Sequence, residues 1–468
     1  MYIKQFYTNC LSEAAYFIES EGEVAIIDPL RDTAAYLELA NERNAGIKYI
    51  FETHFHADFI SGHIDLGKQT GAPIIYGPGA KTNFPIHQAK DGELFKLGKV
   101  SLEVLHTPGH TLESTCYLLR DEHNQPYALF SGDTLFVGDV GRPDLSSGDM
   151  SSEDLAGIMY ETIQTKILPL NDAVIVYPAH GPGSSCGKNL GPNTFSTIGD
   201  EKKTNYALQP QSKEEFVTAV TSGLQNAPVY FPINAKINQT GYKDLKEVVA
   251  QGTTALTLDA FKKAMLQDGV IVLDTRNAAV FTEGFIPGAV FIGLEGRFAE
   301  WAGSILPFNK PILLVTEPGK EEETVIRLAR VGFDKMEGFL EGGFDTWKNA
   351  GEKMDLIIDI EADELIMDIP HDDNLLILDV RRETEYADGH LENAMNLPLH
   401  EMTDVAQIAQ FEDHQNLYVH CAGGYRSVIA ASLLKREGVH NLRNVLGGWG
   451  AIKLQEKASV VKEASVLN

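Results

Sequence analysis

THFHADF, Thr53 to Phe59, is the stretch on which the fold turns. It follows the apolar run IKYIFE, so its polar side chains emerge where a β-strand ends. Three further signatures repeat that arrangement: TPGHT (Thr107 to Thr111) after VSLEVL, SGDT (Ser131 to Thr134) after YALF, and YPAHG (Tyr177 to Gly181) closing AVIVY. His54, His56, His110, Asp133 and His180 therefore gather at one edge of a mixed α/β sheet, the edge at which open α/β sheets hold ligands. One histidine alone is more often structural than ligating. Five metal-compatible side chains at strand ends point instead to a metal centre.

Around that centre the composition is that of a globular chain. Its 468 residues, at roughly 150 per domain, predict about three domains. With 43% hydrophobic and 22% charged residues, disorder, a collagen-like repeat and a disulfide mini-scaffold are all excluded. A net charge of −27 repels phosphate backbones and anionic bilayers, which argues against nucleic acid or membrane as partner. No stretch stays apolar for the ~18 residues of a membrane helix, and MYIKQFYTNC has no leader pattern, so a cytoplasmic protein is expected. Four cysteines are too few for a disulfide framework. Cys10 and Cys116 lie in apolar strand contexts and are expected as buried packing residues. Cys186, six positions beyond His180 in a glycine-rich loop, has two open roles: sulfur relay or sensing, and passive loop packing.

Beyond His180 a Gly/Pro/Ser/Asn-rich passage, HGPGSSCGKNLGPNTFST, leads into helix-like SKEEFVTAVTSGL and KDLKEVVAQ. An internal repeat follows. LDTRNAAVFTEGFIPGAVFIGL from Leu273 lies over LDVRRETEYADGHLENAMNLPL from Leu378 without a gap, at an offset of 379 − 274 = 105. The same offset carries Gly342-Gly343 onto Gly447-Gly448. The expected domains are 1–250, 251–357 and 358–468, the last two being tandem copies of one α/β unit.

In the last copy, LYVHCAGGYRSVIAASLLKREG reads as strand, tight loop and helix, with Cys421 at the turn. Inward backbone N–H groups, the positive helix end and Arg426 all favour a thiolate or persulfide anion there. Four residues separate Cys421 from Arg426, one fewer than in cysteine phosphatases, and the tighter ring suits a single sulfur. Moved back by 105, these two positions are Thr316 and Glu321. The middle copy thus lacks nucleophile and cation, and is expected to be an inactive spacer, docking surface or dimer contact.

The four strand-end signatures, in this order, resemble the metallo-β-lactamase superfamily, an αββα sandwich, over about the first 190 residues. LDVR, DGHLENAMNLP, the cysteine loop and VLGGW resemble the rhodanese sulfurtransferases over about residues 365 to 455. That resemblance makes Cys421 the sulfur carrier, Arg426 its catalytic cation, and Ala422, Gly423, Gly424, Tyr425 and Ser427 the cradle. The implied fold class is α/β: one αββα sandwich followed by two rhodanese-like αβα domains.

Within the first domain, TPGHT, GDTLF and GDVGRPDL resemble the persulfide dioxygenases. The resemblance implies one Fe(II) per chain on His54, His110 and Asp133, a two-His, one-carboxylate face that suits ferrous iron. Zinc is compatible as a purified occupant but has no redox chemistry. The superfamily pattern places a histidine after the Asp of the first motif, where this chain has Phe59. Loss of that imidazole should cripple a second metal position, leaving His56, Asp58 and His180 to orient ligands or hold water and substrate. Arg142 matches a family arginine beside the pocket, either receiving a substrate carboxylate or bracing the loop. The implied reaction oxidises a low-molecular-weight thiol persulfide to sulfite with O2, while Cys421 exchanges sulfane sulfur with sulfite and thiosulfate. Thiol identity, direction of transfer and homo-oligomer formation stay open. Two other classes compete: a glyoxalase II-like dinuclear zinc thioester hydrolase, with His63 replacing the missing imidazole, and a non-catalytic sulfur-responsive module.

Overall fold

The first sheet runs β1 (Tyr2–Thr8), β2 (Glu13–Ser20), β3 (Glu23–Ile27), β4 (Gly46–Phe51), β5 (Ile74–Tyr76) and β6 (His87–Gln88), in that spatial order. The second holds β7 (Leu94–Leu97), β8 (Val100–His106), β9 (Thr115–Arg120), β10 (Pro126–Gly132), β11 (Ile175–Pro178) and β12 (Ser196–Thr197), also neighbours in sequence order. This computed structural model describes residues 1–145, 150–224 and 226–464. It forms two compact units, Met1–Leu245 with Leu328–Phe333, and Lys246–Arg327 with Asp334–Asn468.

Alternation along the strands sets the layers of the first unit. Ala14, Tyr16 and Ile18 of β2 face the second sheet, meeting Leu102, Tyr117, Leu119 and Phe130. Ala15 and Phe17, on the opposite face, pack with Ile26, Tyr36 and Leu66 under the helices Ala34–Glu42 and His63–Thr70. On the far side, Cys116, Leu118 and Leu129 of the second sheet pack with Met159 and Ile163. Strands buried on both faces, with helices outside each sheet, make the αββα sandwich. Burial pushes the Cys116 thiol up to about 11, in keeping with an inert packing residue. Cys10 differs from its expectation: it lies half-buried in the turn between β1 and β2, where Leu11 N–H closes onto the Thr8 carbonyl. The hairpin needs a reversal there, and that takes the cysteine out of the strand.

The carboxyl ends of β4, β8, β10 and β11 supply the loops of the site. Gly132 is what lets two of them meet. Its φ is +53°, and a Cβ there would lie 2.6 Å from the Thr53 side chain.

The second unit holds two sheets of the same design. The first is ordered β13 (Ala255–Leu256), β17 (Met336–Leu340), β16 (Ile312–Val315), β14 (Ile271–Asp274) and β15 (Val290–Phe291). The second is ordered β18 (Ile358–Ile360), β23 (Leu442–Val445), β22 (Asn416–His420), β19 (Leu375–Asp379) and β21 (Met395–Asn396), beside a small pair of β20 (His390–Leu391) and β24 (Val460–Val461). All pairings in both five-stranded sheets are parallel, and helices provide the crossovers. Among the described residues no helix is long and apolar enough to cross a membrane.

Candidate metal centre and cysteine loop

Three donors converge at the edge of the sandwich. His110 Nε2 is 3.4 Å and His54 Nε2 3.8 Å from Asp133 Oδ2, and all three residues are buried. Each imidazole is oriented from behind. Thr53 donates its hydroxyl to Asp28 Oδ2 at 2.8 Å, so its oxygen accepts from His54 Nδ1 at 2.9 Å. His110 Nδ1 donates to the Arg142 carbonyl at 2.7 Å. Both Nε2 lone pairs are therefore turned toward Asp133, the arrangement found behind metal-ligating histidines. Burial, and then the neighbouring His56, His110 and His180, hold the His54 imidazole well below its ordinary value, so it is neutral. Neither Asp133 oxygen finds a hydrogen-bond partner among the described residues. A buried carboxylate left so is costly, and a cation between these donors would satisfy it.

His56 takes no part in that triad. Its Nε2 is 3.1 Å from Asp28 Oδ1 and 3.5 Å from Glu52 Oε2. Burial opposes its charge, but Asp28, Glu52 and Asp58 raise the imidazole to about 10, so it is an imidazolium held by acids. His63 starts the helix His63–Thr70, buried 3.6 Å from Glu52 Oε1, and burial lowers it to about 3. It cannot stand in for the missing imidazole, because its helix holds it on the Glu52 side.

A second group of donors lies beside the triad. Asp58, His180 and Cys186 lie with ligand atoms within 4.8 Å of one another. His180 Nε2 is 3.5 Å from Asp58 Oδ2 and 3.6 Å from Asp133 Oδ1, while its Nδ1 donates to the Ser12 carbonyl at 3.1 Å. Burial, and then Asp58 and Asp133, push the Cys186 thiol well above its ordinary value. The loop carrying it is pinned by long-range bonds. Arg142 N–H donates to the Cys186 carbonyl, and Asp139 Oδ2 accepts from the Lys188 and Asn189 N–H groups at 2.7 and 2.6 Å. The Arg142 guanidinium forks onto Asp144 at 2.7 and 3.0 Å. With Nη1 also donating to the Ser185 carbonyl at 3.4 Å, these contacts tie the Arg142 guanidinium to the loop that carries Cys186.

At the other site, β22 ends at His420 and the helix Tyr425–Arg436 begins after four intervening residues. Between them Cys421 is buried, and Gly424, at φ +103°, donates its N–H to Sγ at 3.1 Å. Ser427 Oγ donates to the Gly424 carbonyl and closes the loop. Ala422 and Gly423 complete it, and the Tyr425 hydroxyl donates to the Gly293 carbonyl at 2.6 Å. Arg426 is held in a two-pronged ion pair with Glu385, at 2.6 and 2.7 Å. Burial opposes the Glu385 charge, but Arg426 keeps its carboxyl below the ordinary range. Glu385 was not legible as a site residue, although the repeat offers a signal: 385 − 105 = 280, which is Val280, so both members of the pair are absent from the middle copy.

A model of the metallo-beta-lactamase superfamily matches residues 8–180, and the rhodanese-like domain matches residues 257–350 and 361–455. The hydroxyacylglutathione hydrolase GloC of Haemophilus influenzae is 28% identical over 232 residues, covering 45% of this chain and 97% of that protein. A hydroxyacylglutathione hydrolase of Polaromonas sp. is 31% identical, covering 41% of this chain and 78% of its own length. Among solved structures, a metallo-beta-lactamase from Staphylococcus aureus is 34% identical with a TM-score of 0.64, covering 73% of this chain and 98% of that one.

Proposed function

We propose, for a chain that belongs to the metallo-beta-lactamase superfamily and carries two rhodanese-like domains, that it oxidises the sulfane sulfur of a low-molecular-weight thiol persulfide to sulfite and exchanges sulfane sulfur through Cys421. One observation carries this reading. Two imidazoles and one carboxylate converge, while His56, which would make a third imidazole, is bound to Asp28 and Glu52. A two-His, one-carboxylate face suits Fe(II) better than a three-His zinc site. Bound there, iron would supply the activation of O2 that the oxidation needs.

The balance is RSSH + O2 + H2O giving RSH, sulfite and two protons. His54 and His110 act as neutral donors, fixed through Thr53 and the Arg142 carbonyl, and Asp133 supplies negative charge. At Cys421, a sulfite lone pair attacks the outer sulfur of the cysteine persulfide, the S–S bond breaks, and the thiolate leaves with the electron pair as thiosulfate forms. The Gly424 N–H receives that charge, and Glu385 orients Arg426 beside it. The test is oxygen consumption by the iron-loaded full chain with glutathione persulfide, with sulfite and thiosulfate counted together. His54→Ala and Asp133→Ala should each lose iron and oxygen uptake. Oxygen uptake should persist in Cys421→Ala without sulfur transfer. Absence of oxygen uptake by the wild-type chain would overturn the oxidative reading.

A second reading, thioester hydrolysis by a zinc-loaded chain, is favoured by the relatives named hydroxyacylglutathione hydrolases and by the Asp58–His180–Cys186 group beside the triad. Turnover of a hydroxyacyl-glutathione thioester without oxygen uptake would select it.

A further inference from the structure

The ring of His56 is close to the triad yet turned away from it. Its centre lies 4.2 Å from that of His54, while its Nε2 points to Asp28 and Glu52 and the Phe59 ring lies 4.3 Å from it. An imidazole this near to two candidate ligands would be a third donor if it were turned to face Asp133. What fixes the turn stands 182 positions further along the chain, on the helix Phe231–Thr240 beyond the last strand of the sandwich. Asn238, 1% exposed, donates from Nδ2 to the His56 and Phe59 carbonyls at 2.7 Å each, and its Oδ1 accepts from the Ser61 N–H at 3.0 Å. Both N–H bonds of the amide are used, and a reversed amide would set its oxygen against two carbonyls. Ser61 in turn donates its hydroxyl to Glu52 Oε1 at 2.6 Å, with Glu52 Oε2 toward His56 at 3.5 Å. Tyr242, two residues past the helix, donates its hydroxyl to the Ser61 carbonyl and accepts from the Ile64 N–H at 3.2 Å.

We propose that Asn238 is a positioning residue of the metal centre: its grip on the His56 and Phe59 carbonyls keeps the His56 ring on Asp28 and Glu52, and so holds the centre to two imidazoles and one carboxylate. The proposal rests on the two-His, one-carboxylate reading of that centre and names the residue that enforces it. One amide fixes three points of the loop, His56, Phe59 and Ser61, so the backbone between them cannot rotate without breaking a buried hydrogen bond. Truncating Asn238 leaves two buried carbonyls and one buried N–H without partners, a cost that the loop relieves only by moving. Ser61 then loses one of the bonds that place it, and with it the hold on Glu52 that keeps that acid facing His56. Both ends of the histidine, carbonyl and ring, are released by the same substitution, and the short path to the face beside His54 opens.

The test is proton NMR of the Co(II)-loaded full chain in water, where each ligating imidazole shows its remaining ring N–H as a contact-shifted signal that disappears in D2O. The signal to read is the one that His56→Ala removes. It should be absent from the wild type and present in Asn238→Ala. Absence from both would overturn the proposal and leave the two-imidazole reading standing, whereas presence in the wild type would overturn both. Thr240→Ala, on the same helix with its hydroxyl donating only to the Lys236 carbonyl, should match the wild type. A His56 signal there would show that any loosening of the helix suffices, and would overturn the assignment to Asn238. If Asn238→Ala does not fold, Asn238→Asp is read instead, since it keeps the volume and the acceptor for Ser61 but cannot donate to both carbonyls. Appearance of the His56 signal in that variant supports the proposal, and its absence overturns it. The readout needs no turnover, so its failure would leave the oxygen-uptake test untouched.

Discussion

In the middle rhodanese-like copy Arg276 Nη2 donates to Asp274 at 2.6 Å and to the Gly284 carbonyl at 2.9 Å. In the last copy Arg381 Nη2 donates to Asp379 at 2.5 Å and to the Gly389 carbonyl at 2.8 Å. Each guanidinium also lies over an aromatic ring, Phe344 at 4.2 Å in one copy and Trp449 at 4.6 Å in the other. The glycine pairs match too: a Cβ on Gly343 would approach the Thr316 carbonyl, and one on Gly448 the Cys421 carbonyl. Above this frame the copies part: where the last has Cys421, Arg426 and Glu385, the middle one has Thr316, Glu321 and Val280. The frame is held by buried polar bonds that fail together if one partner is lost. The loop chemistry sits on top of it and can be removed without unfolding anything.

The largest expected effect breaks that difference directly. Cys421→Ala should reduce thiosulfate sulfurtransferase activity to background, a loss of about a thousandfold or more. Adding Thr316→Cys to that variant should restore nothing, because Glu321 and Val280 leave the new thiol without its cation. Recovered turnover in a cyanide–thiosulfate assay would show that the frame alone activates a cysteine.

Next come the shared ion pairs. Arg276→Leu and Arg381→Leu should each destabilise by about 3–5 kcal/mol in urea, since each strands a buried carboxylate. Unequal losses would show that the frames are not equivalent.

The glycine pair sharpens the contrast further. Both positions have left-handed φ, +53° at Gly448 and +63° at Gly343, so an alanine at either costs about 1 kcal/mol in backbone strain. At Gly448 the new Cβ would also sit 2.3 Å from a carbonyl oxygen, against 3.0 Å at Gly343. Gly448→Ala should therefore lower the denaturation midpoint more, and should slow sulfur transfer where Gly343→Ala does not.

The smallest effect is a pH dependence. Burial holds the His420 imidazole below its ordinary value, with Asp379 opposing, while the middle copy has Val315 at that position. The folded state thus binds fewer protons than the unfolded chain. The stability His420 contributes is fully present above a pH of about 6.5 and is lost as pH falls from there through the lower value of the folded state. Urea melts at pH 7.5 and about 5.5 should show His420→Val losing less stability on acidification than the wild type.

The residues legible before folding were those placed by local direction. His54, His110, Asp133 and His180 each follow an apolar run, and a strand delivers its next few residues to one edge whatever the rest of the chain does. Cys421 and Arg426 are likewise set by one strand–loop–helix turn. Glu385 and the neighbours of Cys186 and His56 were not legible, because each depends on contacts far along the chain. Cys186 reaches Asp58 only because Asp139 and Arg142 hold its loop. His56 leaves the triad because Asp28, 28 positions earlier, stands within 3.1 Å of it. Glu385 is 41 positions from Arg426.

The order of polar motifs, the 105-residue repeat and the loss of Cys and Arg from the middle copy are written in the chain itself, because strand periodicity and tight turns are local properties. Which acids share which imidazoles, and that a loop cysteine joins Asp58 and His180, was decided only by packing. A buried charge is settled by whichever partner the fold brings within about 3–4 Å, and separation along the sequence does not enter that distance.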